Sequence, residues 1–283
     1  MTVAVLVKVW DGLVFATDSA SSMVHPSGPA QVYNNGDKIF HLHRELPIGA
    51  MTWGLGNIGA ASIATLAKDL RARLMGLSSA HKGWALDPET YTIQEVAQRL
   101  VEHFFHDLYA PHFSAYPEAP GLGMLVGGYS ANERQSEAWL VTMHDPNVEP
   151  TPVPAIGTHG TGWRAYAQSQ AVERLWYGLD QDAMDALEAG LDAEEIEKVR
   201  RILIGASITR APVQPAMPLA DAIELAQYKV DVTSGYTHFL FGPDTVGGPT
   251  EVASISRHEN FKWIARKHYY NRSLNPREPG HAS

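Results

Sequence analysis

The chain has 283 residues, 45% of them apolar, with a formal net charge of −9 and no cysteine. That length and apolar share suit one globular domain with a sizeable core. The acidic balance, with no Lys/Arg cluster beyond short pairs, argues against nucleic acid or an anionic membrane as main partner, and the missing cysteines exclude a disulfide framework, a thiolate metal site and a Cys nucleophile.

The chain opens directly into a strand pattern, "MTVAVLVKVWDGLVFATDSASS". No charged n-region followed by an apolar core precedes it, which argues against a signal peptide and fits the cytoplasm. Residues 2–9 and 13–17 read as a hairpin around Asp11-Gly12. Residues 21–36 read as loop, with Pro26, Gly28, Pro29 and "NNGD" as breakers. A second hairpin is expected over 37–43 and 48–53. The uncharged run from Ile48 to Ala67 is long enough to cross a bilayer, but its Gly and Ala content reads as a buried strand, a turn and a buried helix. That helix is expected from about Asn57 to Met75. Ile93, Val96, Leu100, Val101, Phe104, Phe105 and Leu108 keep helical spacing, and the helix should end before Pro111. Residues 122–129, 136–143 and 152–157 read as strands. "TGWRAYAQSQAVERLWYG" reads as a helix, residues 182–204 as an acidic helical stretch, and "PLADAIELAQYKV" as a helix opened by Pro218. "TEVASIS" reads as a last strand, and the tail beyond Tyr270 as disordered. This order is not βαβαβα, so antiparallel sheets with helices gathered outside them, an α+β class, are expected.

Several motifs carry chemistry on paper. "GLGNIG", Gly54 to Gly59, matches a dinucleotide-binding fingerprint between a strand and a helix. The helix should then lead to a strand ending in an acidic residue, yet it runs into "GLSSAHKGWALDPET"; nucleotide binding stays a minority alternative. His41 and His43, or His103 and His106 with Asp107 and His112, could suggest a metal, but no third ligand is indicated and surface histidines explain them better. Ser130 in "GGYSANER" lacks the G-x-S-x-G elbow and reads as structural. No cofactor and no metal are expected.

Thr2 is the more specific feature. Methionine before a small residue is normally trimmed, which makes Thr2 the N-terminus. Its α-amino group has a reference pKa of roughly 8 and can serve as base for its own hydroxyl. Many intracellular chains begin Met-Thr, so the context matters: the strand starts at once, Asp18 closes its partner strand, and Lys38 lies at the start of the third.

At these residues the sequence resembles proteasome β subunits and their bacterial homologues, the N-terminal-nucleophile (Ntn) hydrolases, of a bacterial stand-alone type. The stretches are "TVAVLVKVWDGLVFATDS", "DKIFHLH", "AMTWGLGNIGAASIATLAKDLRARL", "LVGGYS", "IGTHGTGWRAYA" and "TVGGPTEVASIS", in the family's order. The resemblance implies a four-layer αββα sandwich over a single domain, residues 1–270, with a helical insertion at about 178–215 and a disordered tail at 271–283. It implies a threonine-type peptidase in a self-compartmentalised assembly: Thr2 as nucleophile, Asp18 and Lys38 as its acidic and basic partners, Gly54 as an oxyanion donor, and Thr161, or else Thr158, as helper hydroxyl. A peptide or unfolded protein would be the substrate and a homo-oligomer the assembly, and the residues name no unfoldase. Helix 57–75, apolar on more than one side, could face a neighbouring copy. The chain departs from the family in having Ala20 where an Arg is usual, a longer loop before Lys38, and Pro243 where an Asp is usual, with Asp244 one residue off. A non-catalytic ring or scaffold subunit is therefore the second reading.

Overall fold

A computed structural model of the chain describes residues 2–23, 31–206, 211–242 and 244–268. The strands are β1 (Val3–Val9), β2 (Gly12–Thr17), β3 (Ser21–Met23), β4 (Gln31–Tyr33), β5 (Ile39–His41), β6 (Ile48–Gly54), β7 (Asn57–Ile58), β8 (Ala61–Ser62), β9 (Leu122–Tyr129), β10 (Ser136–Met143), β11 (Val153–Pro154), β12 (Gly162–Ala167), β13 (Glu251–Ser256) and β14 (Asn260–Ala265). The helices are α1 (Ile63–Leu74), α2 (Ile93–Val101), α3 (Ala110–Phe113), α4 (Gln170–Tyr177), α5 (Gln181–Gly190), α6 (Ala193–Gly205) and α7 (Leu219–His238).

The fold is mixed α/β with antiparallel sheets. One five-stranded sheet runs β12-β1-β2-β13-β14 and another β11-β10-β9-β6-β5. β1 shows why the opening run is so apolar: all seven of its residues are buried. Val3, Val5, Val7 and Val9 pack with Val230, Ala226 and Ala222 of α7. Ala4 and Leu6 point the other way, into a core shared with Met51 of β6 and Leu125 of β9. A strand covered on both faces loses the apolar–polar alternation. A third core joins β6 and β9 to α1, α2 and the helical turns after α2. Helices thus cover the outer side of each sheet, and a sheet-on-sheet core lies between them. No helix among the described residues is long and apolar enough to cross a membrane, and the run from Ile48 to Ala67 is the buried strand, turn and helix its Gly and Ala content suggested.

Residues 21–36, read as loop, contain the short paired strands β3 and β4. Four further elements differ from the reading of the sequence. First, "GWRAYA" is strand β12, paired antiparallel with β1, and the helix begins only at Gln170. The apolar spacing of that stretch is compatible with both periods, and pairing with an already buried β1 decides it. Second, α1 begins at Ile63, where the Ser62 hydroxyl caps Thr65 N–H; the residues before it form the β7–β8 turn. Its apolar residues Ile63, Leu66, Leu70 and Leu74 all pack into the chain's own core, so α1 offers no apolar face to a neighbour. Third, the α2 helix does not stop before Pro111. A π-helical stretch, Glu102–Tyr109, carries it into α3, with the Ala110 N–H bonded to the Phe105 carbonyl. The wider turn takes up the register change ahead of a proline with no N–H of its own. Fourth, β14 pairs with β13 after a turn, in a stretch to which the sequence reading gave no element. The expected tail, 271–283, and Pro243 lie outside the described residues.

Candidate active site

Hairpin geometry brings the first candidates together. β1 pairs with β2 with Ala4 opposite Thr17, so the start of β1 and the end of β2 lie side by side. Thr2 is buried there, only 4% exposed. Its carbonyl accepts from Gln168 N–H at 2.9 Å, beyond the end of β12.

Asp18 is the hub. Its Oδ1 accepts from Val3 N–H at 3.1 Å and from Lys38 Nζ at 2.7 Å. Its Oδ2 accepts from Ala20 N–H at 3.0 Å and Gly247 N–H at 3.1 Å. Both carboxylate oxygens are therefore satisfied, although the residue is 1% exposed. One of the donors is the amide next to Thr2, so the carboxylate holds the start of β1 and the lysine at once. Gly247 arrives from the loop before β13; Ser19 N–H also bonds its carbonyl at 2.9 Å.

Lys38 reaches the site because its own carbonyl is tied to Thr52 N–H of β6 at 2.9 Å. Burial pushes its ammonium below the ordinary lysine value, and the Asp18 carboxylate pulls it back up. A second amine, Lys267, lowers it further, and Glu251 raises it.

Gly54 closes β6 two residues beyond Thr52. Trp53 stacks on Tyr166 at 4.4 Å, and Tyr166 is the register partner of Ala4. The end of β6 thus lies beside the start of β1. Gly54 has φ 86°, and a Cβ there would meet the Gly121 carbonyl oxygen at 2.4 Å, so only glycine fits. Gly123 has a matching reason: a Cβ would strike the Trp53 ring at 2.2 Å.

The proposed helper hydroxyls are not brought to the site. Gly162 pairs with Lys8 at the far end of β1, while Ala167 pairs with Val3. Thr161 therefore sits nearly the full length of β1 from Thr2, roughly 20 Å at about 3.3 Å per residue. Thr158 is beside it, its carbonyl accepting from Lys8 Nζ at 2.8 Å. Reading β12 as a helix hid this. The residues the strand delivers to Thr2 are instead Ala167, Gln168 and Ser169, at a turn where Ala167 has φ 65°. Asp244 is exposed and pairs with His238 Nδ1 at 3.1 Å.

The remaining motifs are accounted for elsewhere. Gly54 to Gly59 end a mid-sheet antiparallel strand and form the β7–β8 turn, with α1 starting four residues after Gly59. That is not a loop opening a helix onto a phosphate. His103 is buried with Nε2 2.9 Å from the Leu66 carbonyl, while His106 faces Glu149 at 3.3 Å, so the two do not share a face. Burial takes His103 down to about 4. Ser130 is structural as read: its hydroxyl accepts from Ile93 N–H at 2.9 Å and joins the Glu137 carboxylate.

No family model matches the chain, and no curated protein matches it. The likeness found is one of fold. A solved helical assembly of the Anbu complex from Pseudomonas aeruginosa superposes with a TM-score of 0.53 at 16% identity, covering 95% of this chain and 88% of that one. The expected placement among proteasome β subunits and their Ntn-hydrolase homologues is corrected accordingly: the chain shares an overall fold with an Anbu subunit, and the sequence stretches quoted for the family do not carry membership.

Proposed function

We propose that the chain is a threonine-type hydrolase of peptide bonds, acting from Thr2 once Met1 has been removed. The supporting observation is the Asp18 carboxylate, which bonds the amide following Thr2 and the buried Lys38 ammonium together. On this reading the stacked layers form a four-layer αββα sandwich over residues 1–270. The α5–α6 pair is then an insertion at about 178–215, consistent with its few buried residues.

The chemistry follows from those groups. The Thr2 hydroxyl oxygen attacks the scissile carbonyl carbon as its proton passes to the Thr2 α-amine. The cationic Lys38 disfavours a second positive charge beside it and keeps that amine neutral beforehand. The Gly54 N–H faces the developing oxyanion, a role worth about 3–4 kcal/mol for such a donor. Collapse breaks the C–N bond, the leaving amine takes the proton from the α-ammonium, and water then cleaves the Thr2 ester with the α-amine as base. No helper hydroxyl from Thr161 or Thr158 takes part.

Thr2→Ala should reduce hydrolysis of a fluorogenic peptide to background while shifting stability by no more than about 1 kcal/mol, since little surface is lost. Mass spectrometry should find Met1 absent and an epoxyketone attached to Thr2. A Thr2→Ala variant with wild-type turnover would end this reading.

A homo-oligomer in the cytoplasm completes the proposal, with unfolded chains or peptides as substrate. Its support is an exposed apolar cluster at the end of α7, where Phe239 is 86% exposed beside Leu240 and Phe241. Light scattering should give a particle well above the 31.0 kDa chain mass. A monomer at every protein concentration would remove the assembly from the proposal and leave the chemistry standing.

A further inference from the structure

The loop that delivers Lys38 is held by a residue from the opposite end of the chain. Lys267, just past β14, donates from Nζ to the Ser19 hydroxyl and to the Gly36 carbonyl, each at 2.8 Å. It also pairs with the Glu251 carboxylate at 3.1 Å and lies 3.6 Å from Asp37. Ser19 follows Asp18, and Gly36-Asp37 precede Lys38. Glu251 begins β13, the strand paired with β2 at Thr17. One ammonium therefore joins three separate segments, and two of them are the immediate neighbours of the Asp18–Lys38 pair.

We infer that Lys267 is a positioning residue for the Thr2 site, clamping the Asp18 and Lys38 segments together and setting the positive field in which Lys38 works. The inference rests on the hydrolase reading for its effect on turnover, though not for its effect on Lys38.

Three features support it. The clamp is built rather than incidental, because Glu251 is buried to 1% exposure, and a buried carboxylate persists where it is paired. Its own value is pushed up by burial and pulled down by Lys267. Next, the charges around Lys38 can be enumerated. Asp18 comes from the end of β2, Glu251 from β13, Asp37 from its own loop and Lys267 from beyond β14. On the hydrolase reading the Thr2 amine, freed by loss of Met1, joins them. Asp18 and Glu251 favour the charged form of Lys38 and Lys267 opposes it. Finally, the geometry gives Lys267 no contact with a reacting atom: its partners are the Ser19 hydroxyl, the Gly36 carbonyl and two carboxylates. It acts through Lys38.

The direction of the effect is fixed by charge. Replacing Lys267 with Met removes one positive charge from the site. Both Lys38 and the Thr2 amine then hold their protons to higher pH. The acid limb of the pH–rate profile reports loss of the amine proton, and the basic limb reports loss of the Lys38 proton. Both limbs should move to higher pH, with kcat reduced on the order of tenfold and KM little changed. Lys267→Arg keeps the charge and should restore the wild-type limbs.

Two measurements on the full chain test this. The first is the pH profile of peptide hydrolysis for wild type, Lys267→Met and Lys267→Arg. The second is the titration of Lys38 by NMR of lysine-labelled protein, assigned with Lys38→Met, which does not depend on activity. An upward shift of the Lys38 midpoint in Lys267→Met, reversed in Lys267→Arg, is the expected result. An unmoved midpoint in a folded Lys267→Met variant overturns the inference. If Lys267→Met fails to fold, Lys267→Gln carries the same comparison, and Lys267→Arg failing to restore the midpoint overturns it as well. Wild-type protein without hydrolysis would overturn the hydrolase reading while the NMR result still judged the clamp.

Discussion

Two buried ammonium groups lie at different places around the same sheet, and their surroundings differ in kind. At its end, Lys38 meets the Asp18 carboxylate at 2.7 Å, and that carboxylate has three backbone N–H donors besides. On its outer face, Lys229 of α7 is 0% exposed and its ammonium lies against two indole rings. Its Nζ lies 3.5 Å from the Trp163 ring centre and 4.4 Å from that of Trp176, with no hydrogen-bond partner among the described residues. Burial takes Lys229 down to about 7. The first arrangement holds a charge paired beside Thr2, the proposed nucleophile. The second encloses an amine between indole rings, with no anion beside it among the described residues. A buried amine alone is thus no mark of a site; the saturated carboxylate next to Thr2 is what separates them.

The largest effects should come from breaking the paired region. Asp18→Ala leaves the Lys38 cation without its anion and three N–H groups without an acceptor. Breaking a buried pair in this way costs about 3–5 kcal/mol, so urea denaturation should show a loss of that order or no folded protein. Lys38→Met is the contrasting change. Asp18 keeps its three backbone donors, so the fold should survive, while peptide hydrolysis falls by roughly a hundredfold or more. A Lys38→Met variant as active as wild type would show that the amine is structural there too, and would erase the distinction from Lys229.

That distinction was only partly legible in the sequence. Thr2, Asp18 and Lys38 could be placed because a short hairpin fixes which strand ends meet, and Asp18 terminates one strand as Thr2 opens the other. The antiparallel order and the helices outside the sheets followed from the element order. Thr161 was misplaced and Lys267 was passed over for a common reason. Each depends on a strand, β14 or β12, whose identity comes from pairing with distant residues rather than from its own pattern. "GWRAYA" fits a helix until β1 is present to pair with it, and the choice moves Thr161 from one end of the sheet to the other. Lys229 was unreadable as a buried charge. It stands at an ordinary position in "AQYKVDV", and only the approach of Trp163 and Trp176 encloses it.

The smaller effect concerns Lys229 and runs in the opposite direction. Lys229→Met removes a buried charge and keeps the length of the side chain. The indole faces recover part of the desolvation, at most about 2 kcal/mol for an enclosed cation, so the variant should be more stable by roughly 1–3 kcal/mol at pH 6, with hydrolysis unchanged. Its pH dependence has a definite sign. The folded amine loses its proton near 7 and the unfolded one near 10.5, so between those values the unfolded chain binds more protons. Wild-type stability should therefore rise with pH from about 7 towards 10.5, and the advantage of Lys229→Met should shrink across the same window, being largest below 7. Urea midpoints at pH 6, 8 and 9.5 for the two proteins measure this directly. Parallel curves across that range would mean that Lys229 keeps its proton in the folded chain throughout, as it would beside an anion. The contrast with Lys38 would then have to rest on the Asp18 hub alone.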